Sequence, residues 1–356
     1  MKVLQLIDSL QTGGAERTAV NYANLLADLI DKSFLCATRL EGALKTTIDK
    51  DVGYVFLNKK NTIDFKAIKK LNAFIKMHDI DFVHAHSTSY VQAAILKIFN
   101  SRIQVIWHDH NGNRNSHGLF KNLVLKFCSI FFNKVIVVNT NLKLWAEKNL
   151  FTKNIYYLSN FSVLTEEKQR TVLKGNIGKR IVCLANLRHP KNHILLLNAF
   201  KNISDYKTDW SLHLIGEDFN DAYSNQIIAY IIENKLEDHV FLYGLRQDIN
   251  YILSQCDIGV LSSSSEGLPL SLLEYGLAKL AVVATNVGDC NKVITNNSEG
   301  ILVNSNDVDA FSKGLLKYIN NEDERTQAGE MLYKNVTNNF SAKKNLEQLI
   351  SIYNKA

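Results

Sequence analysis

The chain has 356 residues, enough for one large or two medium domains, and its 46% apolar content is that of an ordinary globular protein. The formal charge of +6 is uneven: residues 1–178 carry 24 Lys and Arg against 14 Asp and Glu (+10), and residues 179–356 carry 17 against 21 (−4). No apolar run reaches the roughly 20 residues of a membrane span, and the start lacks the pattern of a secretory signal. Five cysteines (Cys36, Cys128, Cys183, Cys256 and Cys290), with no C-x-x-C pair, read as reduced thiols. Together these predict a cytoplasmic protein. The basic half could face nucleic acid, an anionic membrane or an anionic substrate, but no aromatic, zinc or dense arginine pattern of a nucleic-acid module is present.

In chain order, Val3–Ile7 predicts a buried strand that enters the turn Thr12-Gly13-Gly14 and an amphipathic helix over Ala15–Leu29. Strands are predicted at Phe34–Ala37, Tyr54–Leu57, Phe82–Ala85, Ile103–Trp107 and Val135–Val138, with helices such as Phe65–His78 and Leu119–Phe132 between them. A polar seam over Asn160–Lys179 precedes a second series: Ile181–Ala185, Leu212–Ile215, Val240–Leu242, Ile258–Leu261, Ala281–Ala284 and Gly300–Val303. Ser341–Tyr353 is predicted as a closing amphipathic helix. Strands alternating with helices at this spacing mean βαβ units, and two series mean two doubly wound α/β domains.

Ligands of such sheets bind at the carboxyl ends of the strands, so the segments there are the candidate sites. Asp8–Glu16 brings Gly13 and Gly14 to a helix start, where the backbone can approach an anion. Ala185–His193 (A-N-L-R-H-P-K-N-H) offers the cations Arg188 and Lys191. Ile215-Gly216-Glu217-Asp218 and Tyr243-Gly244-Leu245-Arg246 end two further strands. The densest segment is Ser262–Ile294, where a serine run, Glu266, Gly267 and Leu268 lead through Pro269 into a helix predicted over Leu270–Leu280 that carries Glu274. Were both glutamates helical, eight positions would separate them by roughly 12 Å. The carboxyls of a retaining hydrolytic pair stand about 5 to 5.5 Å apart. Glu266 and Glu274 are therefore expected to grip two parts of one long ligand.

Two H-x-H pairs end strands of the first half, His84 with His86 and His108 with His110. Alternate strand residues share a face, which raises metal binding, but the sequence offers no clear third ligand and no metal is expected. The stretch Leu119–Lys134 is apolar with interspersed lysines and suits either a core helix or a membrane surface.

The pattern E-G-x-P-x-x-x-x-E from Glu266 to Glu274 resembles the signature of glycosyltransferase family 4, retaining enzymes of the GT-B fold. The opening Gly13-Gly14-Ala15-Glu16-Arg17, Asn160, the R-x-x-K loop, Gly216-Glu217 and Glu299–Val303 support that resemblance, which spans nearly the whole chain. It implies two Rossmann-like domains facing across a cleft: an acceptor-binding domain over 1–165, joined by the C-terminal helix at about 340–356, and a nucleotide-sugar domain over 166–339. It further implies that Glu274 holds the ribose, Glu266 and the Gly267 and Leu268 amides face sugar or phosphate, and Arg188 and Lys191 neutralise the diphosphate. Gly14 would pack against that diphosphate, Glu217 would join the donor contacts, Gly244, Leu245 and Arg246 would lie by the base, and His108 would contact the donor sugar. The donor expected is a UDP-sugar, without a structural metal, and the acceptor a glycan or lipid-linked glycan of surface polysaccharide synthesis, with contact at the inner face of the membrane through the basic first domain. Two departures from relatives stand out: Asn186 occupies a position often held by Arg, and Gly288–Lys292 lacks a Glu found in many. A nucleotide-sugar epimerase and a non-catalytic partner subunit are the alternative readings.

Overall fold

The computed structural model describes residues 1–112, 114, 118–163, 170–204 and 209–355. The chain forms two compact units, Met1–Asn160 with Ala342–Ala356, and Phe161–Ser341.

The first unit contains strands β1 (Lys2–Ser9), β2 (Lys32–Leu40), β3 (Gly53–Phe56), β4 (Phe82–His86), β5 (Gln104–Asp109), β6 (Lys134–Val137) and β7 (Ile155–Tyr157), with helices α1 (Gly14–Ala27), α2 (Phe65–Met77), α3 (Tyr90–Phe99), α4 (Leu119–Cys128) and α5 (Thr140–Asn149). All pairings are parallel, in the order β3-β2-β1-β4-β5-β6-β7. Parallel strands are covered on both faces and so read as continuous apolar runs. Val3, Leu4, Leu6 and Ile7 follow that rule, while Gln5, equally buried, interrupts it.

The second unit contains β8 (Arg180–Leu184), α6 (His193–Ser204), β9 (Ser211–Ile215), α7 (Ala222–Glu233), β10 (Val240–Gly244), α8 (Ile249–Leu253), β11 (Ile258–Leu261), α9 (Leu270–Leu277), β12 (Ala281–Thr285), α10 (Cys290–Val293), β13 (Ile301–Val303), α11 (Val308–Asn320) and α12 (Glu322–Asn339). Its parallel sheet runs β10-β9-β8-β11-β12-β13. In each sheet the order reverses beside the first strand, between β1 and β4 and between β8 and β11, and a ligand crevice opens at such a switch point.

The last helix, α13 (Ala342–Asn354), packs on the first unit. Its Tyr353 stacks near Phe82 at 5.2 Å between ring centroids, and the buried Lys134 ammonium donates to the Tyr353 carbonyl at 3.0 Å. A cation at the open carbonyls of a helix end is favourable.

A missed strand and two helix ends are the main differences from the sequence expectation. The edge strand β7 was not foreseen, because Ile155-Tyr156-Tyr157 follows directly on the polar Thr152-Lys153-Asn154 and carries two tyrosines with polar ends in place of an aliphatic run. Helix α9 stops at Leu277, not Leu280, because Lys279 turns left-handed (φ +59°) and the Leu280 N–H reaches back to the Tyr275 carbonyl at 3.0 Å. The Leu119–Phe132 segment is α-helical only to Cys128 and continues as a short 3-10 turn over Ser129–Phe131. None of the five cysteines is in a disulfide.

Candidate active site

In the second unit the loops after β8, β9 and β10 are laced together by backbone contacts. The Asn186 side-chain oxygen accepts the Glu217 N–H at 2.8 Å, and the Leu187 N–H donates to the Glu217 carbonyl at 2.9 Å. A Cβ on Gly216 would lie 2.1 Å from the Ala185 carbonyl oxygen, so this crossing needs glycine. The Gly216 N–H donates to the carbonyl of Gly244, itself left-handed at φ +65°. Glu217, Gly244, Leu245 and Arg246 thus follow adjacent strand ends on one edge of the sheet. Leu245 is exposed, and the Arg246 guanidinium donates to the Leu245 carbonyl at 2.8 Å.

The loop after β11 clamps the loop after β8. The Ser262 hydroxyl donates to the Lys191 carbonyl at 2.9 Å, and the Ser264 N–H to the Pro190 carbonyl at 2.8 Å. Across this seam the Lys191 ammonium meets Glu266 Oε1 at 2.6 Å, and the Ser263 hydroxyl donates to the same oxygen at 2.6 Å. The Glu266 side chain is 10% exposed and that of Lys191 is 29% exposed, so the pair sits at the mouth of the strand edge and not in bulk water. The Gly267 carbonyl is held by the Asp289 N–H at 2.8 Å. Glu274, on the second turn of α9, is 5% exposed, and Leu268 is buried.

A tyrosine sets the geometry behind this loop. Strands β8 and β11 pair only at Ile258–Ile181 and Gly259–Val182. Beyond that they part, and the buried Tyr275 hydroxyl fills the gap, accepting the Leu184 N–H at 2.7 Å and donating to the Val260 carbonyl at 3.1 Å. The parting of β8 and β11 therefore costs no orphaned backbone group at these two positions.

Besides Glu217, Gly244, Leu245 and Arg246, the sequence-selected residues fall into three groups. Lys191 and Glu266 are joined directly, with Gly267, Leu268 and Glu274 following on the same loop and helix. Arg188 shares the Lys191 loop, but its exposed guanidinium lies 4.3 Å over the Phe219 ring and not on a carboxylate. Gly14, which opens α1, and His108, near the end of β5, belong to the first unit. Tyr275, Ser262 and Ser263 were not singled out in the sequence. A serine run is an ordinary loop signal, and a tyrosine inside an apolar helix reads as core.

The chain matches two family models, one described as glycosyltransferase family 4 over residues 12–160 and one as glycosyl transferases group 1 over residues 165–335. The chain belongs to glycosyltransferase family 4. A relative in Escherichia coli named UDP-Gal:alpha-D-GlcNAc-diphosphoundecaprenol alpha-1,3-galactosyltransferase is 24% identical, over 96% of this chain and 93% of that protein. A Campylobacter jejuni N-acetyl-D-galactosaminyltransferase named for an undecaprenol-diphosphate-linked acceptor is 22% identical over 92% and 91%. Among solved structures, Anabaena HepE in complex with UDP and glucose has a TM-score of 0.84 at 18% identity, covering 99% of both chains. That likeness gives this family 4 member the GT-B fold, and it is a glycosyltransferase enzyme.

In the first unit of this glycosyltransferase the strand register supplies what the sequence did not show, a third histidine. His86 pairs with His108 across β4 and β5, and His84 stands two residues away on the same face. The ligand nitrogens of His84, His86 and His108 lie within 4.8 Å of one another. Both nitrogens of His84 and both of His86 are already hydrogen-bonded, so an ion here would have to replace those bonds. Burial holds all four rings neutral: His84 is lowered to about 3, His110 to about 4, and His86 and His108 well below the ordinary value.

Proposed function

We propose that this enzyme transfers a sugar from a UDP-sugar to a glycan or lipid-linked acceptor, with retention of anomeric configuration, in the synthesis of a surface polysaccharide. The observation that carries the reading is the Lys191–Glu266 pair at the clamped ends of β8 and β11, where a cation and a carboxylate sit one bond apart at the crevice of the sheet. The UDP-named galactosyltransferase relative and the undecaprenol-linked acceptors in the relatives' names support the substrate classes.

In this reading Lys191 turns to the diphosphate, assisted by Arg188, while Glu266 and the backbone at Gly267 and Leu268 receive the sugar. Glu274 holds the ribose, with Glu217 among the donor contacts and Gly244, Leu245 and Arg246 by the base. Gly14 contributes backbone to the diphosphate, and His108 a sugar contact. The bond from the anomeric carbon to the diphosphate breaks, and a bond to the acceptor oxygen forms on the same face. The acceptor proton passes to the departing phosphate oxygen. Positive charge aimed at the leaving group is stabilisation where charge develops. The positive charge the diphosphate needs comes here from Lys191 and Arg188, with no metal assigned.

Contact with the membrane face is part of the proposal. Phe120, Leu123 and Phe127 of α4 are exposed beside Lys121 and Lys126, an apolar and basic surface suited to anionic headgroups. Among the described residues no helix is long and apolar enough to cross a membrane.

Nothing favours epimerisation or a silent subunit, since the curated relatives above bear transferase names. The test is a melting-temperature panel with UDP-, GDP- and ADP-sugars, followed by anomeric analysis of the product; ligands of the native state raise its melting temperature. A shift with UDP-sugars and a retained anomer is expected. No shift with any of the three, or an inverted anomer, would refute the reading.

A further inference from the structure

Four histidine rings of the first unit stack into one layer, with centroids 5.2 Å apart for His84–His108, 4.0 Å for His108–His110 and 5.1 Å for His86–His110. They form two branches. In one, the Tyr353 hydroxyl meets His84 Nδ1 at 2.7 Å, and His84 Nε2 meets His108 Nδ1 at 3.2 Å. In the other, Gln5 Oε1 meets His86 Nε2 at 2.8 Å, and His86 Nδ1 meets His110 Nε2 at 2.9 Å. The Gln5 amide joins them, since its NH2 donates to the Tyr353 oxygen at 3.4 Å. Each branch ends on a buried ring nitrogen, His108 Nε2 and His110 Nδ1, that has no hydrogen-bond partner among the described residues.

The proton positions follow from one amide. A neutral imidazole has one N–H and one lone pair. Gln5 Oε1 can only accept, so His86 carries its proton on Nε2 and presents a lone pair at Nδ1. His110 must then donate from Nε2, and its Nδ1 is bare. In the other branch the Gln5 NH2 takes a lone pair of the Tyr353 oxygen, and the hydroxyl proton goes to His84 Nδ1. His84 therefore donates from Nε2 to His108 Nδ1, and His108 carries its proton on Nε2. The two loose ends are opposite in kind, an N–H on His108 and a lone pair on His110, on rings 4.0 Å apart.

We propose that Gln5 and Tyr353 are positioning residues that set His108 and His110 as a matched donor and acceptor for a sugar hydroxyl, the group that both accepts and donates a hydrogen bond. The ligand class rests on the glycosyl-transfer reading; the proton positions do not. Buried polar atoms left without a partner are costly, and a hydroxyl bridging these two would satisfy both at once.

The experiment is histidine-selective nitrogen NMR on the full chain, with Gln5→Glu as the probe. In the wild type all four rings should carry their proton on Nε2 at neutral pH. In Gln5→Glu the carboxylate accepts a hydrogen bond from the Tyr353 hydroxyl, whose oxygen then accepts from His84, so His84 and His108 should move their protons to Nδ1 while His86 and His110 stay unchanged. The two unpartnered nitrogens then become two acceptors, and turnover should fall about ten- to hundredfold, the cost of an unmatched buried polar group. Tyr353→Phe, which removes only the hydroxyl, should leave His108 in mixed tautomers. Any other wild-type pattern, a stoichiometric bound metal, or an unmoved His108 proton in Gln5→Glu would overturn the proposal, as would Gln5→Glu with wild-type turnover. UDP binding by calorimetry separates this from the reading above: its absence in the wild type counts against nucleotide-sugar transfer and leaves the tautomers to be judged by their spectra.

Discussion

Lys191 Nζ and Glu266 Oε1 lie 2.6 Å apart, and the same carboxylate oxygen also accepts the Ser263 hydroxyl. The ammonium is thus held at the strand edge by a carboxylate that keeps a second bond when the lysine leaves. Lys191→Ala should lower turnover about a hundred- to a thousandfold, the scale of removing one group that meets charge in a transition state. Steady-state kinetics with a UDP-sugar and acceptor is the check, and wild-type turnover would remove Lys191 from the chemistry.

Glu274→Ala addresses the other end of the donor. The side chain is 5% exposed on a helix that follows directly from the Glu266 loop. Calorimetry should show UDP affinity reduced about tenfold or more, as expected when a charged hydrogen bond to a ligand is lost. Unchanged affinity would place the ribose elsewhere.

Gly288→Ala tests the backbone that carries Glu266. Gly288 has φ +57°, and a Cβ there would lie 2.3 Å from the Glu266 carbonyl oxygen and 2.4 Å from that of Gly267. The loop must move to admit a methyl group. The expected outcome is a lower melting temperature by several degrees, consistent with a loss of about 1–3 kcal/mol for strained backbone, together with weaker UDP binding. A variant as stable as the wild type would mean that the loop yields freely.

Acid should destabilise the first unit early. His84, His86, His108 and His110 all have folded values depressed by burial, with His84 at about 3 and His110 at about 4. Above the unfolded histidine value near 6.5 both states are neutral and the stability is fully present. As pH falls below it the unfolded chain takes up protons that the folded one refuses, so stability is lost towards the folded values, at up to about 1.4 kcal/mol per pH unit for each ring. Chemical denaturation between pH 7 and 4.5 should show a slope of more than one proton. A flat profile would contradict burial of the cluster as neutral rings.

Much of this arrangement was legible from the residues alone. Twelve of the strands showed as apolar runs because parallel strands are buried on both faces, and the Glu266–Glu274 segment declared its loop and helix through Gly267 and Pro269. What was hidden depends on partners distant in sequence. Gln5 and Tyr353 meet across 348 positions, and neither has a local pattern. The one visible trace is a glutamine inside the apolar run Val3–Ile7. The third histidine of the cluster was equally hidden, because strand register, not spacing, brings His108 to His86.

Helix α13 has a consequence for the order of events during synthesis. The first unit holds Tyr353 and Asn345 in its interior, bonded to His84, to Gln5 and to the Tyr22 hydroxyl, and Lys134 binds the helix end. Those partners are translated first and α13 more than 180 residues later, after all of the second unit. The sheet of β1 to β7 must wait on the ribosome with its histidine layer uncovered until that segment emerges. A chain stalled before residue 342 would hold a finished second unit and an unfinished first one, its histidine layer still without Tyr353.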